Sequence, residues 1–269
     1  CCTEVFGKDV PQVTVFDNAF HSTMPPTSYL FALPYEYYEN DHVRRYGAHG
    51  TSHRFVAYRA AELMGKDLKD FKLITCHLGN GASITAIKDG KVLDTSMGLT
   101  PLDGFMMGTR CGGVDPSAVT FIMDKHNISP KEMDTIMNKK SGVLGISGVH
   151  SDDRVVKQAA KDGNARAKLA RDMQWYQIRK YIGSYVAAMD GVDCIAFTGG
   201  IGENCDDLRA DVCKNLSFLG IKIDEQLNAS IHGDEAELTL PGCKVRVFVI
   251  PTNEELAIAR DTKAIAEAL

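Results

Sequence analysis

The sequence lacks any apolar run long enough to span a membrane. Its most apolar stretches, such as residues 245–250, have the length of a strand and fall far short of the roughly 20 residues that a transmembrane helix requires. It also lacks an excess of basic residues, because 30 lysines and arginines stand against 35 aspartates and glutamates and give a formal net charge of −5. We therefore expect neither a nucleic acid nor a membrane as a partner.

The eight cysteines lack the spacing of a metal site. Apart from a pair at the N-terminus they occur singly, with no C-x-x-C motif and no matching histidine pair. This spacing argues against zinc and favours the reduced thiols of a cytoplasmic protein. Cys76 and Cys194 lie within apolar, strand-like runs, where cysteine packs as a small hydrophobic residue. The first residues also lack the pattern of a signal peptide, and we interpret the start without methionine as a truncation.

The sequence does contain the composition and the element pattern of a globular α/β protein. Hydrophobic residues make up 44% and charged residues 24%, which predicts a substantial core. Strands are predicted at 12–17, 71–76, 82–87, 91–95, 194–198 and 245–250. The second, third and fourth of these would form an antiparallel meander, and the later strands alternate with helices, which indicates a mixed α/β sheet.

Capping residues and apolar periodicity predict the helices. They are expected at 51–65, 116–126, 130–139, 154–163 and 165–189, and after residues 204 and 251. Thr51 or Ser52 is expected to cap the first helix and Gly65 to end it. In the long helix, Leu169 and Tyr176 begin an apolar face that continues to its end, which predicts a buried core helix.

Two glycine turns follow predicted strands and are suited to hold phosphate. Residues 77–83 read His-Leu-Gly-Asn-Gly-Ala-Ser, and residues 197–204 read Phe-Thr-Gly-Gly-Ile-Gly-Glu-Asn. Glycine allows positive φ and lets a phosphate oxygen approach backbone N–H groups. Two such turns predict the two sides of one phosphate cleft and indicate a nucleotide.

Five segments closely resemble the acetate kinase family and occur in the family's order. They are residues 44–53, 77–83, 106–110, 199–204 and 251–255. The resemblance implies an α/β nucleotide-binding fold of the acetate and sugar kinase, heat-shock protein and actin type, which is ribonuclease H-like. It also implies a homodimer that transfers a phosphoryl group reversibly between ATP and acetate, giving acetyl phosphate and ADP, with Mg²⁺ or, alternatively, Mn²⁺.

The family pattern begins with a further lobe, whose Asn-Ser-Gly-Ser-Ser-Ser turn and substrate-binding arginine are not found in this sequence. By this resemblance, residues 1–19 are the end of that lobe and residues 20–253 are the C-terminal nucleotide-binding lobe. Residues 254–269 are a helix that returns to the first lobe. A non-catalytic nucleotide-binding or dimerising fragment therefore stays as an alternative for this chain alone.

The resemblance assigns the chemistry to four side chains. Arg110 matches the catalytic arginine, whose planar fork can hold acetate and the transferring phosphoryl group, and His49 matches a histidine that donates a hydrogen bond to that group. Asp17 and Glu254 match two acids tied to magnesium and to active-site geometry. The alternatives are a loop arginine, a capping histidine, a turn aspartate and a first-turn glutamate behind an Asn253 cap.

The chemistry itself needs no general base. Acetate has a pKa near that of a side-chain carboxyl group, about 4–5, and is already an anion at neutral pH. Its repulsion from the γ-phosphate is the main obstacle. Catalysis therefore consists of positioning and charge neutralisation.

The same match assigns the nucleotide-binding residues. His77 is assigned equally to phosphate contact and to orientation of the first turn. Asp152 and Arg154 match residues near the ribose, although a solvated helix start would have the same sequence. The full set is His77, Gly79, Asn80, Gly81, Asp152, Arg154, Gly199, Gly200, Ile201, Gly202 and Asn204.

Two further positions bear on the substrate. Ala48 and Pro101 match residues that line the pocket for the acetate methyl group, and many family members have Phe where this chain has Ala48. The smaller side chain predicts room for propionate, so a related short-chain acyl kinase is an alternative. A Rossmann dehydrogenase is another, because Gly200 and Gly202 follow a strand, although Cys205 replaces the third glycine of that fingerprint.

Overall fold

The computed structural model describes residues 2–268. The helices are α1 (Cys2–Phe6), α2 (Pro26–Tyr29), α3 (Glu36–Asp41), α4 (Gly50–Met64), α5 (Pro116–His126), α6 (Pro130–Lys139), α7 (Gly142–Ser147), α8 (Asp153–Lys161), α9 (Ala165–Met189), α10 (Gly199–Asn204), α11 (Asp206–Lys214), α12 (Glu225–Ser230) and α13 (Glu254–Ala266). The strands are β1 (Leu73–Leu78), β2 (Ala82–Lys88), β3 (Lys91–Thr95), β4 (Cys194–Thr198), β5 (Ala236–Glu237) and β6 (Arg246–Val249). No helix within residues 2–268 is both long enough and apolar enough to cross a membrane.

The strands form one six-stranded mixed sheet with the order β3-β2-β1-β4-β6-β5. Strands β1, β2 and β3 form the predicted antiparallel meander, and the turn at Asp89 and Gly90 has φ values of 54° and 73°, as a two-residue type I′ hairpin requires. Strands β1, β4 and β6 run parallel, with His77 opposite Thr198. The two glycine turns therefore leave the sheet at the same edge.

Strand alternation divides the core into two layers. Cys76 of β1 packs with Phe197 of β4, Ile182 of α9 and the apolar face of α11 on one side of the sheet. Leu73 faces the other side, where it packs against Val56 of α4. Because successive side chains of a strand point to opposite faces, the residues at alternate positions after Leu73 also face α4.

Residues 12–17 do not form the predicted strand. The segment has no regular secondary structure before Asp17 and is mostly exposed, and no sheet pairing of the described residues includes it. Its β-branched residues suit a pleated surface, but a strand also needs a neighbour to pair its backbone groups. This prediction was wrong for the structure of this chain.

One predicted helix cap was also wrong. Helix α4 begins at Gly50, with His49 at the N-cap in place of Thr51 or Ser52, because Asp17, which lies outside the helix, takes the capping role. The helix predicted from about Asn204 is α11, which begins at Asp206, and the glycine turn before it forms the additional short helix α10. Gly65, in the left-handed conformation, ends α4 as predicted.

The long helix α9 is a core helix in its C-terminal half only. Leu169 and Tyr176 are 50% and 56% exposed, whereas Ala167 and Ala170 are buried against α7 and α8. Small side chains allow those helices to approach α9 closely, whereas Leu169 and Tyr176 face solvent and Met173 and Trp175 are partly buried. The predicted continuous apolar face was therefore wrong in this half.

The two strand cysteines are buried, as their surroundings predicted. Cys76 and Cys194 are fully inaccessible, and burial raises the pKa of each thiol above its ordinary value. A thiol in this state is a poor nucleophile, because the thiolate is the reactive form. Both residues act as packing residues of the sheet.

Candidate active site

Asp17 binds the N-terminus of α4 from outside the helix. Its Oδ2 accepts a hydrogen bond from the His49 N–H at 2.7 Å and its Oδ1 accepts one from Thr51 N–H at 3.5 Å. Its carbonyl accepts from Gly50 N–H at 2.6 Å, and a Cβ at Gly50 would lie 2.2 Å from that oxygen. Asp17 thus supplies the cap that neither Thr51 nor Ser52 provides, and it holds His49 in a left-handed conformation with φ of 58°.

His49 and Arg110 meet above the first glycine turn. A Cβ at Gly81 would lie 3.3 Å from Arg110 Nη1 and 3.6 Å from His49 Nε2. The His49 ring stacks on His77, with ring centroids 4.2 Å apart and an interplanar angle of 21°. The structure therefore brings together three predicted site residues, which lie 28 to 61 positions apart in the chain, over a glycine that leaves space for a ligand.

Arg110 is placed by the loop that carries it. The loop binds the first turn through Gly108 N–H, which donates to Asn80 O at 3.1 Å, and Arg110 Nη1 donates to Pro101 O at 3.0 Å. No carboxylate of residues 2–268 lies within ion-pair distance of Arg110. Its charge is thus available for an anionic ligand.

Four histidines lie close together beside this turn, His21 and His53 buried and His49 and His77 half-buried, and all have depressed pKa values. Burial is the main cause in each, and it lowers the pKa of His21 to about 4 and that of His77 to about 3. The pKa of His53 is well below its ordinary value, and that of His49 is lowered although Asp17 acts in the opposite direction. The imidazoles are therefore neutral near pH 7, and His49 offers the site a hydrogen bond without a full charge.

Polar side chains of α4 and β2 bind these rings. Ser52 Oγ lies 2.7 Å from His77 Nδ1, and Ser83 Oγ lies 2.8 Å from His49 Nδ1. His21 Nε2 lies 3.2 Å from Thr85 Oγ1. The motif comparison did not assign a role to Ser83 or to His21, although the alternation of polar residues along β1 and β2 could have indicated a polar surface facing α4.

The second glycine turn is held by a carboxylate. Glu203 Oε1 accepts hydrogen bonds from Gly199 N–H at 2.8 Å and from Thr252 N–H at 3.2 Å, which ties the turn to the segment before α13. Gly199 has φ of +75°, and a Cβ there would lie 2.9 Å from Leu78 O. At Gly200, in contrast, a Cβ would meet nothing within 4 Å.

A cavity of about 770 Å³ opens between the two glycine turns and the start of α8. Seven of the predicted nucleotide-binding residues line it, namely Gly79, Asn80, Asp152, Arg154, Gly200, Ile201 and Asn204. The remaining four do not line it: Gly199 and Gly202 are buried, whereas His77 and Gly81 lie toward His49. His150 and Lys157 also line the cavity, and the motif comparison missed both.

Asp152 and Arg154 form the start of α8 at the wall of the cavity. Asp152 caps α8 by accepting from Arg154 N–H at 2.9 Å, and its carboxylate also binds the Arg154 guanidinium, with Nη2 at 2.6 Å. These hydrogen bonds lower the pKa of Asp152 to about 2. The pair is thus a helix start that stands on the wall of the cavity.

Asp17 and Glu254 are two acids that lie close enough for the charge of one to act on the other. The pKa of Glu254 is raised by burial and, to a lesser extent, by Asp17 and Glu255, while Asn253 caps α13 by accepting from Leu256 N–H at 2.9 Å. Within residues 2–268 no group of three or more potential metal ligands is arranged around one point. Two carboxylates fit Mg²⁺, which keeps several waters and is usually shared with substrate phosphates.

The two residues predicted to line the acetyl pocket lie beside this site. Ala48 precedes His49, is half-buried and packs against the core around β1. Pro101 is exposed, and its carbonyl is the oxygen that binds Arg110. Pro101 therefore contacts Arg110, and Ala48 lies next to His49 in the chain.

Comparison with known proteins gives a consistent family. The pattern of the acetokinase family matches residues 2–260. The acetate kinase of Halothermothrix orenii is 56% identical over 259 residues, which cover 96% of this chain and 65% of that protein. The chain thus spans less than two thirds of the length of this relative.

Solved structures agree with this match. The crystal structure of Porphyromonas gingivalis acetate kinase superimposes with a TM-score of 0.92 at 51% identity, covering 93% of this chain and 63% of that one. A propionate kinase from Francisella tularensis superimposes with a TM-score of 0.91 at 44% identity, covering 98% and 66%. These superpositions confirm the predicted α/β fold and reject the Rossmann dehydrogenase alternative. The chain belongs to the acetokinase family.

Proposed function

We propose that the protein transfers a phosphoryl group between Mg-ATP and acetate, forming acetyl phosphate and ADP by direct in-line transfer. The convergence of Arg110 and His49 over Gly81 carries the proposal. This point adjoins the cavity through Gly79 and Asn80, so a nucleotide in the cavity would extend its phosphates along the first turn toward the two side chains. The reacting oxygens would then meet a cation and a neutral hydrogen-bond donor.

Arg110 and His49 have distinct parts in this chemistry. The Arg110 fork, which no carboxylate of the described residues neutralises, binds the carboxylate of acetate and offsets charge on the transferring group. Neutral His49 donates a hydrogen bond and takes no proton, since acetate is already an anion. Asp17 and Glu254 would hold Mg²⁺, which would supply positive charge to the phosphates of ATP.

The cavity suits the nucleoside part of ATP. Gly200, open above its Cα, allows a flat base to approach the backbone, and Asn204 Nδ2 donates to Gly200 O at 2.9 Å, which fixes that stretch of α10. Asp152 and Arg154 stand at the wall where a ribose would lie. The volume of about 770 Å³ lies within the usual range for sites of small ligands.

Propionate is a second candidate substrate. Ala48 supports it, because a small side chain leaves room for one more methylene, and a relative with 44% identity is named a propionate kinase. We expect Ala48→Phe to lower the ratio of kcat/KM for propionate to that for acetate by roughly 10-fold or more, since one methylene is worth about 1–3 kcal/mol. An unchanged ratio would reject Ala48 as the determinant.

The deciding experiment measures ADP formation from Mg-ATP, with and without acetate, for the 269-residue chain and its Arg110→Ala variant. Acetate-dependent activity that the variant lacks would support the proposal for the chain alone. If the chain is inactive, it is completed with the part of the Halothermothrix orenii acetate kinase outside the match. Recovered activity would assign this chain as a nucleotide-binding portion of the enzyme, and continued inactivity of a folded, completed protein would reject the proposal.

A further inference from the structure

A series of buried, hydrogen-bonded polar groups lies behind His49, and the transfer chemistry does not use it directly. Thr75 Oγ1 lies 2.7 Å from His53 Nδ1, and His53 Nε2 lies 2.7 Å from Ser83 Oγ. Ser83 Oγ in turn lies 2.8 Å from His49 Nδ1. Thr75, His53 and Ser83 are each 0% exposed, so solvent is not available to satisfy any of them.

The donor at the Thr75 end of this series determines the direction of each hydrogen bond. Among residues 2–268, the Thr75 hydroxyl has His53 Nδ1 as its hydrogen-bond partner. If Thr75 donates, His53 Nδ1 must accept, and the neutral His53 ring carries its hydrogen on Nε2. His53 then donates to Ser83 Oγ, and the Ser83 hydroxyl directs its own hydrogen to His49 Nδ1.

The opposite direction leaves a buried donor unpaired. It would require His53 Nδ1 to donate to Thr75 Oγ1, and the Thr75 hydroxyl hydrogen would then have no acceptor among the described residues. A buried polar hydrogen without an acceptor costs free energy. The geometry therefore favours the order Thr75 to His53 to Ser83 to His49.

We propose that Thr75, His53 and Ser83 are positioning residues that hold His49 in the tautomer with its hydrogen on Nε2. Nε2 is the nitrogen that faces Gly81 beside Arg110. The proposal rests on the proposed function for its consequence, because only a nitrogen that bears hydrogen can donate to an anionic phosphoryl group. The other tautomer would direct a lone pair at that anion.

His77 provides an internal control. Its Nδ1 lies 2.7 Å from Ser52 Oγ, so the same reasoning gives His77 a hydrogen on Nε2. The Ser52 hydroxyl acts on His77 directly and is not part of the hydrogen-bond series that leads to His49. Removing the Ser52 hydroxyl should therefore affect the His77 tautomer and leave that of His49 unchanged.

The test reads the tautomers by long-range ¹H–¹⁵N correlation spectra of the 269-residue chain labelled with ¹⁵N-histidine at pH 7. The His49 signals are assigned by their loss in His49→Gln. We expect a protonated Nε2 and an unprotonated Nδ1 for His49, loss of this pattern in Ser83→Ala, and its retention in Ser52→Ala. A wild-type hydrogen on Nδ1, or an unchanged pattern in Ser83→Ala, would overturn the proposal.

Two replacements of His53 test the direction of the hydrogen bonds while they keep part of the volume of the side chain. In His53→Gln the amide nitrogen can reach the position of Nε2 and still donate to Ser83, whereas in His53→Asn the amide lies nearer the position of Nδ1. We expect the His49 pattern to persist in His53→Gln and to be lost in His53→Asn, with thermal unfolding confirming that both variants fold. Equal behaviour of two folded variants would contradict the inferred order. Because these spectra need no substrate, they stand apart from the test of kinase activity.

Discussion

The two glycine turns end neighbouring parallel strands, yet their surroundings differ. The first, after β1, is covered by the side chains of His49 and Arg110, which come from other elements and meet at Gly81. The second, after β4, presents backbone and open space, with Gly200 bare toward the cavity. The first turn thus has the positive charge of Arg110 beside it, and the second offers a surface against which a ligand can lie.

Under the proposed function, this difference separates a transfer side from a nucleotide side. The transfer side consists of Gly81, His49 and Arg110, and the nucleotide side consists of Gly200, Asn204 and the rest of the cavity wall. Substitutions on the transfer side should lower kcat, because they remove interactions with the reacting groups. Substitutions on the nucleotide side should raise KM for ATP, because they remove binding that is equal in the ground state and the transition state.

The largest effect is expected from Arg110→Ala. Loss of an arginine that stabilises a transferring phosphoryl group lowers kcat by roughly 10³-fold or more, and we expect KM for ATP to change little. Steady-state kinetics of the active form, either the chain or the completed protein, would measure both constants. Arg110→Lys keeps the charge without the fork, so a variant with full activity would contradict the role given to the planar group.

A smaller loss is expected from His49→Ala. Removal of one hydrogen-bond donor from a developing charge costs about 10²-fold in kcat. The loss should persist at every pH at which the protein is folded, because neutral His49 donates and takes no proton. A rate difference between wild type and variant that appears only below a given pH would instead indicate that the charged imidazole is the active form.

A matched pair of glycine substitutions separates folding from binding on the nucleotide side. Gly199→Ala forces a side chain into a left-handed conformation against Leu78 and should lower the free energy of unfolding by about 1–3 kcal/mol. Gly200→Ala meets no protein atom and should leave stability unchanged while raising KM for ATP by roughly 10-fold, equal to about 1.4 kcal/mol. Denaturant unfolding and ATP titration distinguish them, and an unstable Gly200→Ala would contradict this division.

Two substitutions of Asp17 separate its role as the cap of α4 from its proposed role in binding Mg²⁺. Asp17→Asn keeps an oxygen that can accept from the His49 N–H but removes a charge near Glu254, whereas Asp17→Ala removes both. We expect both variants to need more Mg²⁺ for half-maximal activity, and Asp17→Ala alone to lose about 1 kcal/mol of stability, the usual effect of a lost cap. Equal stability of the two variants would show that the cap contributes little.

The sequence predicted the parts of this molecule that depend on local pattern. The Asp89-Gly90 hairpin, the meander and the two turns at one sheet edge follow from residue type and spacing alone. The strand at 12–17 was wrong because its pairing depends on a neighbour and not on propensity. The start of α4 was wrong because Asp17, 32 residues before His49, provides the cap.

The site was predicted in part for the same reason. Motif resemblance identified His49, Arg110 and most of the cavity wall, since these residues lie in short conspicuous segments. It did not assign Ser83, whose role depends on two histidines from another element. Lys157 was missed because a lysine on an amphipathic helix has no distinguishing signal until the fold places it at the cavity.

The two regions should also differ in how they respond to acid. The folded pKa of His77, about 3, lies below its unfolded value of 6.5, so the unfolded chain binds a proton first and stability falls as pH drops below about 6.5, ceasing to fall near 3. Each such histidine contributes about 1.4 kcal/mol per pH unit. His77→Asn should therefore reduce the loss of unfolding free energy between pH 7 and pH 5 by up to about 2 kcal/mol.

Asp152 on the nucleotide side is the matched control for this measurement. Its pKa is about 2 in the folded protein and 3.8 in the reference state, so its contribution is present above pH 3.8 and is lost only as pH falls toward 2. Asp152→Asn should therefore leave the pH 7 to pH 5 difference unchanged in denaturant titrations. If both variants change this difference equally, the acid response belongs to the fold as a whole. A response that is confined to the histidines would appear in His77→Asn and not in Asp152→Asn.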